Sequence, residues 1–294
     1  MSSSSTSIAR LPEWARKGSP LAPEARPLRV LLRGQQLTTV CEEARCPNLG
    51  ECFARGTATF MLLGDRCTRR CGYCSVDTGR PLPPDPGEPA RVAEAAARLG
   101  LRYVVLTAVA RDDLDDGGAG QMAATVREVR RRLPAAKVEV LTPDYKGEPA
   151  ALALVLDAAP DVFNHNIEMA PRLFPTLRPQ GSYTRSLALL RAVKDERPRQ
   201  TTKSGLMVGL GETDAEVEGV LQDLRDAGVD IVTLGQYLRP TRAHAPVDRY
   251  VTPAGFQALE ARARALGFPT VYAGVFVRSS FNAEEVFHSG PLPG

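Results

Sequence analysis

The chain has six cysteines, all between Cys41 and Cys74, and they fall into two sets of three. One set is Cys67, Cys71 and Cys74, spaced C-x3-C-x2-C within Asp65-Arg66-Cys67-Thr68-Arg69-Arg70-Cys71-Gly72-Tyr73-Cys74. The other is Cys41, Cys46 and Cys52, spaced C-x4-C-x5-C. Three thiolates on one short loop can wrap one face of a [4Fe–4S] cube, and they leave the fourth iron without a protein partner. An open iron can bind a small chelator, much as a catalytic zinc keeps one position free. Structural zinc asks for four ligands, usually as two C-x2-C pairs or as Cys with His; each set here offers three, with no His nearby. A disulfide framework staples small secreted domains, whereas these thiols crowd one edge of a 294-residue chain.

The rest of the composition narrows the setting. Lys and Arg number 37 against 34 Asp and Glu, a net charge of +3 with no dense basic stripe, so no nucleic-acid partner is expected. No stretch approaches the ~20 apolar residues that span a bilayer, so no membrane is expected either. The start, MSSSSTSIARLPEWARKGSP, lacks the apolar segment of a secretory signal and is short for a transit peptide. A cytoplasmic, reducing location is the resulting expectation. Apolar residues at 43% allow a sizeable core.

Positioning the thiols requires a scaffold, and the sequence alternates two patterns. Short β-branched runs occur at Ala58–Leu63, Tyr103–Ala108, Val138–Leu141, Val162–His165, Gly205–Gly209, Ile231–Gly235 and Val271–Val275. Between them Ala-, Leu- and Arg-rich segments with helical spacing fill Pro89–Leu99, Gln121–Leu133, Pro149–Ala158, Tyr183–Asp195, Asp214–Ala227 and Pro253–Leu266. In the fifth of these Val217, Val220, Leu221 and Leu224 form one apolar face, with Thr213 as N-cap and Gly228 just past the end. Strand–helix alternation repeated six times predicts an α/β chain with parallel strands. Six units are fewer than a closed eight-fold barrel, so the expected form is a partial (β/α)6 barrel. A doubly wound sheet is the alternative, although no Gly-rich dinucleotide fingerprint opens the first unit. The expected organisation is a loose tail over 1–28, a cysteine-bearing extension over 29–56, the barrel over 57–276 and a C-terminal segment over 277–294.

The C-x3-C-x2-C loop directly after the first strand of such a chain resembles the radical S-adenosylmethionine superfamily. The resemblance implies that S-adenosyl-L-methionine chelates the open iron and is cleaved to an adenosyl radical. It also gives Gly205-x-Met207-x-Gly209-x-x-Glu212 a role, since it matches the superfamily's G-x-I-x-G-x-x-E pattern with Met for Ile. Gly205, Met207, Gly209 and Glu212 are thereby expected at the cofactor. The superfamily's Gly-Gly-Glu stretch at the second strand is missing. Thr107-Ala108-Val109-Ala110-Arg111-Asp112-Asp113 stands there instead, and Thr107 is expected at the cofactor with neighbouring polar groups near its ammonium. Asn166 and Glu168, in Asp161–Glu168 (DVFNHNIE), are suited to ribose hydroxyls.

The two cysteine sets together resemble the lipoyl synthase family. Further matching segments are YVVLTAVARDDLDDGG from Tyr103, VLTPD from Val140, GQYLRPTR from Gly235 and RSSF at Arg278–Phe281. The resemblance implies radical insertion of two sulfur atoms at C6 and C8 of an octanoyl chain on a carrier-protein lysine. It implies two [4Fe–4S] clusters, the auxiliary one on Cys41, Cys46 and Cys52 serving as a consumed sulfur store. Its fourth ligand would be the second Ser of the family's Arg-Ser-Ser-Tyr motif, here Ser280. The next residue is Phe281, so the family's hydroxyl at that position is lost. Expected partners are octanoylated lipoyl-carrier domains, a small electron-donor protein and a cluster-carrier protein. Two rival readings are another radical enzyme with an electron-transfer auxiliary cluster, and a metal-binding scaffold without catalysis. His165 reads as a structural histidine, Arg239 and Arg242 as contacts to an acidic carrier or as solvated charges, and His244 and His288 carry no signal.

Overall fold

The computed structural model describes residues 11–17, 23–55 and 57–288. Seven parallel strands follow one another across a single sheet: β1 (Thr59–Leu62), β2 (Tyr103–Ala108), β3 (Lys137–Leu141), β4 (Val162–Asn164), β5 (Thr201–Val208), β6 (Ile231–Gln236) and β7 (Thr270–Gly274). Six helices form the crossovers: α1 (Glu88–Arg98), α2 (Ala119–Arg132), α3 (Pro149–Asp157), α4 (Tyr183–Glu196), α5 (Asp214–Asp226) and α6 (Pro253–Ala265). Strand order equals chain order, so there is no switch point and the doubly wound alternative falls away. The sheet does not close. A two-residue strand, Thr38–Thr39, adds antiparallel to β1 at one edge, and β7 forms the other. This is the open, partial barrel expected from six strand–helix units.

The helices form for local reasons that packing reinforces. Thr213 caps α5 in a capping box: its side chain accepts from the Glu216 N–H while the Glu216 carboxylate accepts from the Thr213 N–H. Gly228, at φ +79°, ends the helix in a left-handed turn. The α5 stripe of Val217, Val220, Leu221 and Leu224 is buried against Leu206, Val232 and Leu234 of the sheet. Truncating one such leucine to alanine costs about 2–5 kcal/mol. A second apolar layer lies over β1–β4, built from Phe60, Leu62, Leu106, Val126, Val140 and Phe163.

β5 starts at Thr201, four residues before the predicted Gly205, because a lysine inside the barrel is neutralised there. Lys203 and Glu139 are 1% and 0% exposed, and Lys203 Nζ donates to both Glu139 oxygens at 3.0 and 3.1 Å. Tyr103 Oη and Asn164 Nδ2 donate to the same carboxylate at 2.7 and 2.8 Å. A buried charge is tolerable only when paired and hydrogen-bonded in this way.

Of the segment 1–28, residues 1–10 and 18–22 lie outside the described residues. The remainder is laid onto the barrel. Ala15 is buried in the α5-side core, Trp14 meets the Tyr250 ring edge-on at 6.4 Å, and the helix Arg26–Gly34 buries Leu28 and Leu32.

Candidate active site

Cys67, Cys71 and Cys74 sit on a loop that leaves the carboxyl end of β1, where functional groups of parallel barrels collect. The loop is pinned at many points. Arg66–Cys67 pairs with Asp77–Thr78 and closes its base. Gly72 donates to the Leu177 carbonyl at 2.7 Å and accepts from Ala245 N–H at 2.8 Å. His244 Nε2–H donates to the Cys74 carbonyl at 3.0 Å, its tautomer set by Thr241 Oγ1 at Nδ1, 2.8 Å away. Arg69, in mid-loop, forks onto Asp112 at 2.8 Å from both nitrogens and reaches Asp144 at 2.6 Å. Burial alone would raise Asp144, but Arg69 outweighs it and holds this carboxyl at about 2. Arg111 takes Asp113 in a second fork at 2.9 and 2.8 Å. Asp112 and Asp113 are thus each paired with an arginine, and their side chains keep 30% and 39% of their surface exposed.

Of the residues expected at a cofactor, Asn166, Glu168, Gly205 and Met207 stand together at the ends of β4 and β5, and the set as a whole divides into two kinds of role. Glu168, at φ +72°, bridges β5 by donating its N–H to the Gly205 carbonyl at 2.9 Å and accepting from Met207 N–H at 2.8 Å. Burial lifts the Glu168 carboxyl above its ordinary range even with the charge of Arg178 beside it. Asn166 Nδ2 donates to Ser279 Oγ at 3.1 Å, and its buried Oδ1 has no protein partner. Half-buried Met207 joins Met169, Phe174, Leu177 and Tyr73 in an apolar patch, Tyr73 lying between Cys71 and Cys74. The remaining positions act on the backbone. A Cβ at Gly205 would stand 2.7 Å from Asn166 Oδ1, and one at Gly209 2.5 Å from the Arg249 carbonyl. Glu212 is buried, with one carboxylate oxygen accepting from Gly209 N–H at 2.7 Å and the other from Leu210 N–H at 2.9 Å. Gly209 and Glu212 shape the loop. Thr107 Oγ1 donates to the Leu141 carbonyl at 3.0 Å, so its hydroxyl proton is used within the sheet.

The other three cysteines meet Ser280 although more than half the chain separates them. Cys41, Cys46, Cys52 and Ser280 line one cavity of ≈ 210 Å³, together with Tyr103 and Val105 of β2. Val277–Phe281 reaches it by crossing β6 at Gly235, where a Cβ would stand 2.2 Å from the Val277 carbonyl. Phe281 N–H donates to the Arg278 carbonyl at 2.9 Å and closes the turn that holds Ser279 and Ser280. All six cysteines are unbridged. Burial pushes the Cys41 and Cys74 thiols up to about 12 and Cys52 up to about 11. Anionic sulfur in such places needs positive charge supplied by a metal. Among the described residues no three His, Cys, Asp or Glu side chains converge to hold a single ion. The ligands of a cube each bind a different iron and need not converge.

A sequence profile of the Radical SAM superfamily matches residues 61–224. Lipoyl synthase of Nitratidesulfovibrio vulgaris strain Hildenborough is 54% identical over 280 residues, covering 95% of this chain and 93% of that protein. Lipoyl synthase of Methylococcus capsulatus is 55% identical over 277 residues, 94% of this chain and 86% of the relative. The chain belongs to the lipoyl synthase family. It is an enzyme of the radical S-adenosylmethionine class, and that cofactor and two [4Fe–4S] clusters come with the family. Among solved structures, the [FeFe]-hydrogenase maturase HydG superposes with a TM-score of 0.58 at 13% identity, covering 95% of this chain and 68% of that one. Streptococcus suis SuiB bound to S-adenosylmethionine gives 0.55 at 10% identity, covering 74% and 50%. At such identities these two likenesses speak for the fold.

The residues present fit the groups the family requires. Each cysteine set supplies three thiols, Ser280 adds an oxygen at the second, and the buried Asn166 Oδ1 has no protein partner and can accept from a bound group. Several residues that build the site carry no sequence signal. His244 reaches Cys74 across 170 positions, and buried Arg178 lies beside Cys71, Tyr73 and Glu168. Only the tertiary fold creates these contacts. Arg239, weighed as a carrier contact, is tied to its own loop: it donates to the His244 carbonyl at 2.8 Å and to that of Arg242.

Proposed function

We propose that Cys67, Cys71 and Cys74 hold the cluster that binds S-adenosyl-L-methionine, and that Cys41, Cys46, Cys52 and Ser280 hold the auxiliary cluster. When bound, these groups supply a radical able to take hydrogen from unactivated carbon and the sulfur that replaces it. The reaction is insertion of two sulfur atoms, at C6 and C8, into an octanoyl chain carried on a protein lysine. The observation that carries this assignment is the meeting of Cys41, Cys46, Cys52 and Ser280 around one cavity, since a serine beside three cysteines suits a ligand that must let go. Oxygen is a harder match to iron than thiolate, so Ser280 is the weakest of the four contacts.

The chain's own residues bind, orient and exclude water. Arg69, His244 and the Gly72 backbone fix the first thiol loop at the barrel mouth. Met207 and Tyr73 offer an apolar wall to an adenine ring. Asn166 Oδ1 is an acceptor for a ribose hydroxyl. Gly209 and Glu212 serve the same pocket indirectly by setting the loop that follows β5. Thr107 stands at the rim with its oxygen lone pairs as acceptors. The open side of the barrel admits a lysine arm, so the partners are octanoylated carrier domains, with a small electron donor and a cluster-carrier protein. Among the described residues no helix is long and apolar enough to cross a membrane, and a cytoplasmic location suits oxygen-sensitive clusters.

The test is anaerobic reconstitution followed by incubation with an octanoyl-lysine peptide and mass analysis. About eight irons per chain and a doubly thiolated peptide are expected. Ser280→Ala should still cleave the cofactor while forming no dithiolated product, and Ser280→Cys should insert sulfur more slowly. Full insertion by Ser280→Cys would show that ligand lability is irrelevant.

A further inference from the structure

The auxiliary cavity is walled by two segments distant in sequence, and one cation outside it touches both. Lys17 Nζ lies 2.7 Å from Glu51 Oε2 and donates to Asn48 Oδ1 at 2.5 Å. The same ammonium stands 4.9 Å from the ring centroid of Phe276 and 4.8 Å from that of Phe281. Asn48 and Glu51 belong to the stretch between Cys46 and Cys52, whereas Phe276 and Phe281 flank Ser280. Asn48 Nδ2 adds a direct tie, donating to the Phe276 carbonyl at 2.7 Å. Lys17 is itself held from behind. Ala15 is buried in the barrel core and Trp14 packs edge-on against Tyr250.

A surface lysine ordinarily keeps its ammonium in water. Here the side chain is only 21% exposed, and the charge is shared among a carboxylate, an amide oxygen and two aromatic faces. Partial desolvation strengthens a cation over a ring. Phe281 lacks the hydroxyl that the family resemblance led one to expect, and its π face does the holding.

We infer that Lys17 is a positioning residue, which locks the Ser280 turn onto the Cys46–Cys52 segment and sets how firmly Ser280 is presented to the auxiliary cluster. The inference rests on Ser280 being the fourth ligand. Its first consequence, a turn fixed by a cation, is nevertheless a property of the cluster-free chain and is read there separately.

Hydrogen exchange on the full-length apoprotein gives that reading. Lys17→Met should accelerate exchange at the amides of residues 278–288 about tenfold, a factor worth about 1.4 kcal/mol, with β6 as an unchanged internal control. Lys17→Arg should restore protection, because a guanidinium keeps both the charge and the ring contact. Phe281→Leu should give the same acceleration as Lys17→Met, and the double variant no more than either alone. In reconstituted protein, Lys17→Met should lose auxiliary irons to a chelator faster than the parent while retaining those of the first cluster. Unchanged exchange in Lys17→Met, or acceleration that adds in the double variant, would overturn the lock. Faster exchange in the apoprotein without faster iron loss would overturn its link to Ser280.

Discussion

Glu212 illustrates how single side chains divide their labour in this enzyme. Its two oxygens are taken by the backbone N–H groups of Gly209 and Leu210, so the role proposed for it at the cofactor would pass through the loop. Glu212→Ala leaves two buried donors unsatisfied, costing about 1–3 kcal/mol each. The expected outcome is a protein that assembles both clusters but binds S-adenosylmethionine about tenfold or more weakly, a factor of ten being about 1.4 kcal/mol, measured by equilibrium binding. Undiminished affinity would remove Glu212 from the site altogether. The cysteines were legible in the sequence because their spacing is itself the chemistry. Ser280 was legible only through family resemblance, since two adjacent serines in a loop have no pattern of their own. Lys17, Arg178 and His244 were illegible, each being an ordinary polar side chain until a distant segment is folded against it.

At the scale of elements, periodicity located six crossover helices and seven strands to within a few residues, because apolar spacing and burial coincide. The exception is instructive. The start of β5 reads as polar, and only Glu139 on β3 makes Lys203 acceptable inside the barrel. Cross-strand compensation of this kind has no trace in local sequence. Gly235 shows an element acting on a site it does not contribute to, since the C-terminal segment can cross β6 only where there is no side chain. Gly235→Ala should push Val277–Phe281 away from the cysteine segment. Iron in the anaerobically reconstituted variant is expected to fall from about eight towards about four per chain, with cleavage of S-adenosylmethionine retained. A full iron complement would mean that the segment's path is unimportant.

At the scale of the whole molecule, acid should weaken the fold through His165, which is buried with Nδ1–H donating to the Thr142 carbonyl at 2.8 Å and Nε2 accepting from Ser186 at 2.9 Å. Burial, aided by the charge of Arg178, lowers it from 6.5 to about 4. A histidine depressed in the folded state contributes stability that is present above its unfolded value and is lost as pH falls from about 6.5 towards 4. Roughly 3 kcal/mol is at stake, and His165→Asn should flatten that part of the denaturation profile; an unflattened profile would place the acid sensitivity elsewhere. Globally, the open barrel sets two thiol clusters on one frame, one fixed to the mouth of β1 and the other completed by a segment from the far end of the chain. The claim at the centre of this arrangement is that the second site gives up its own sulfur. The most direct measurement uses protein whose clusters were built with heavy-isotope sulfide, reacted anaerobically with an octanoyl-lysine peptide in unlabelled buffer. Both sulfur atoms of the product should carry the heavy isotope, whereas a product bearing only light sulfur would contradict the account.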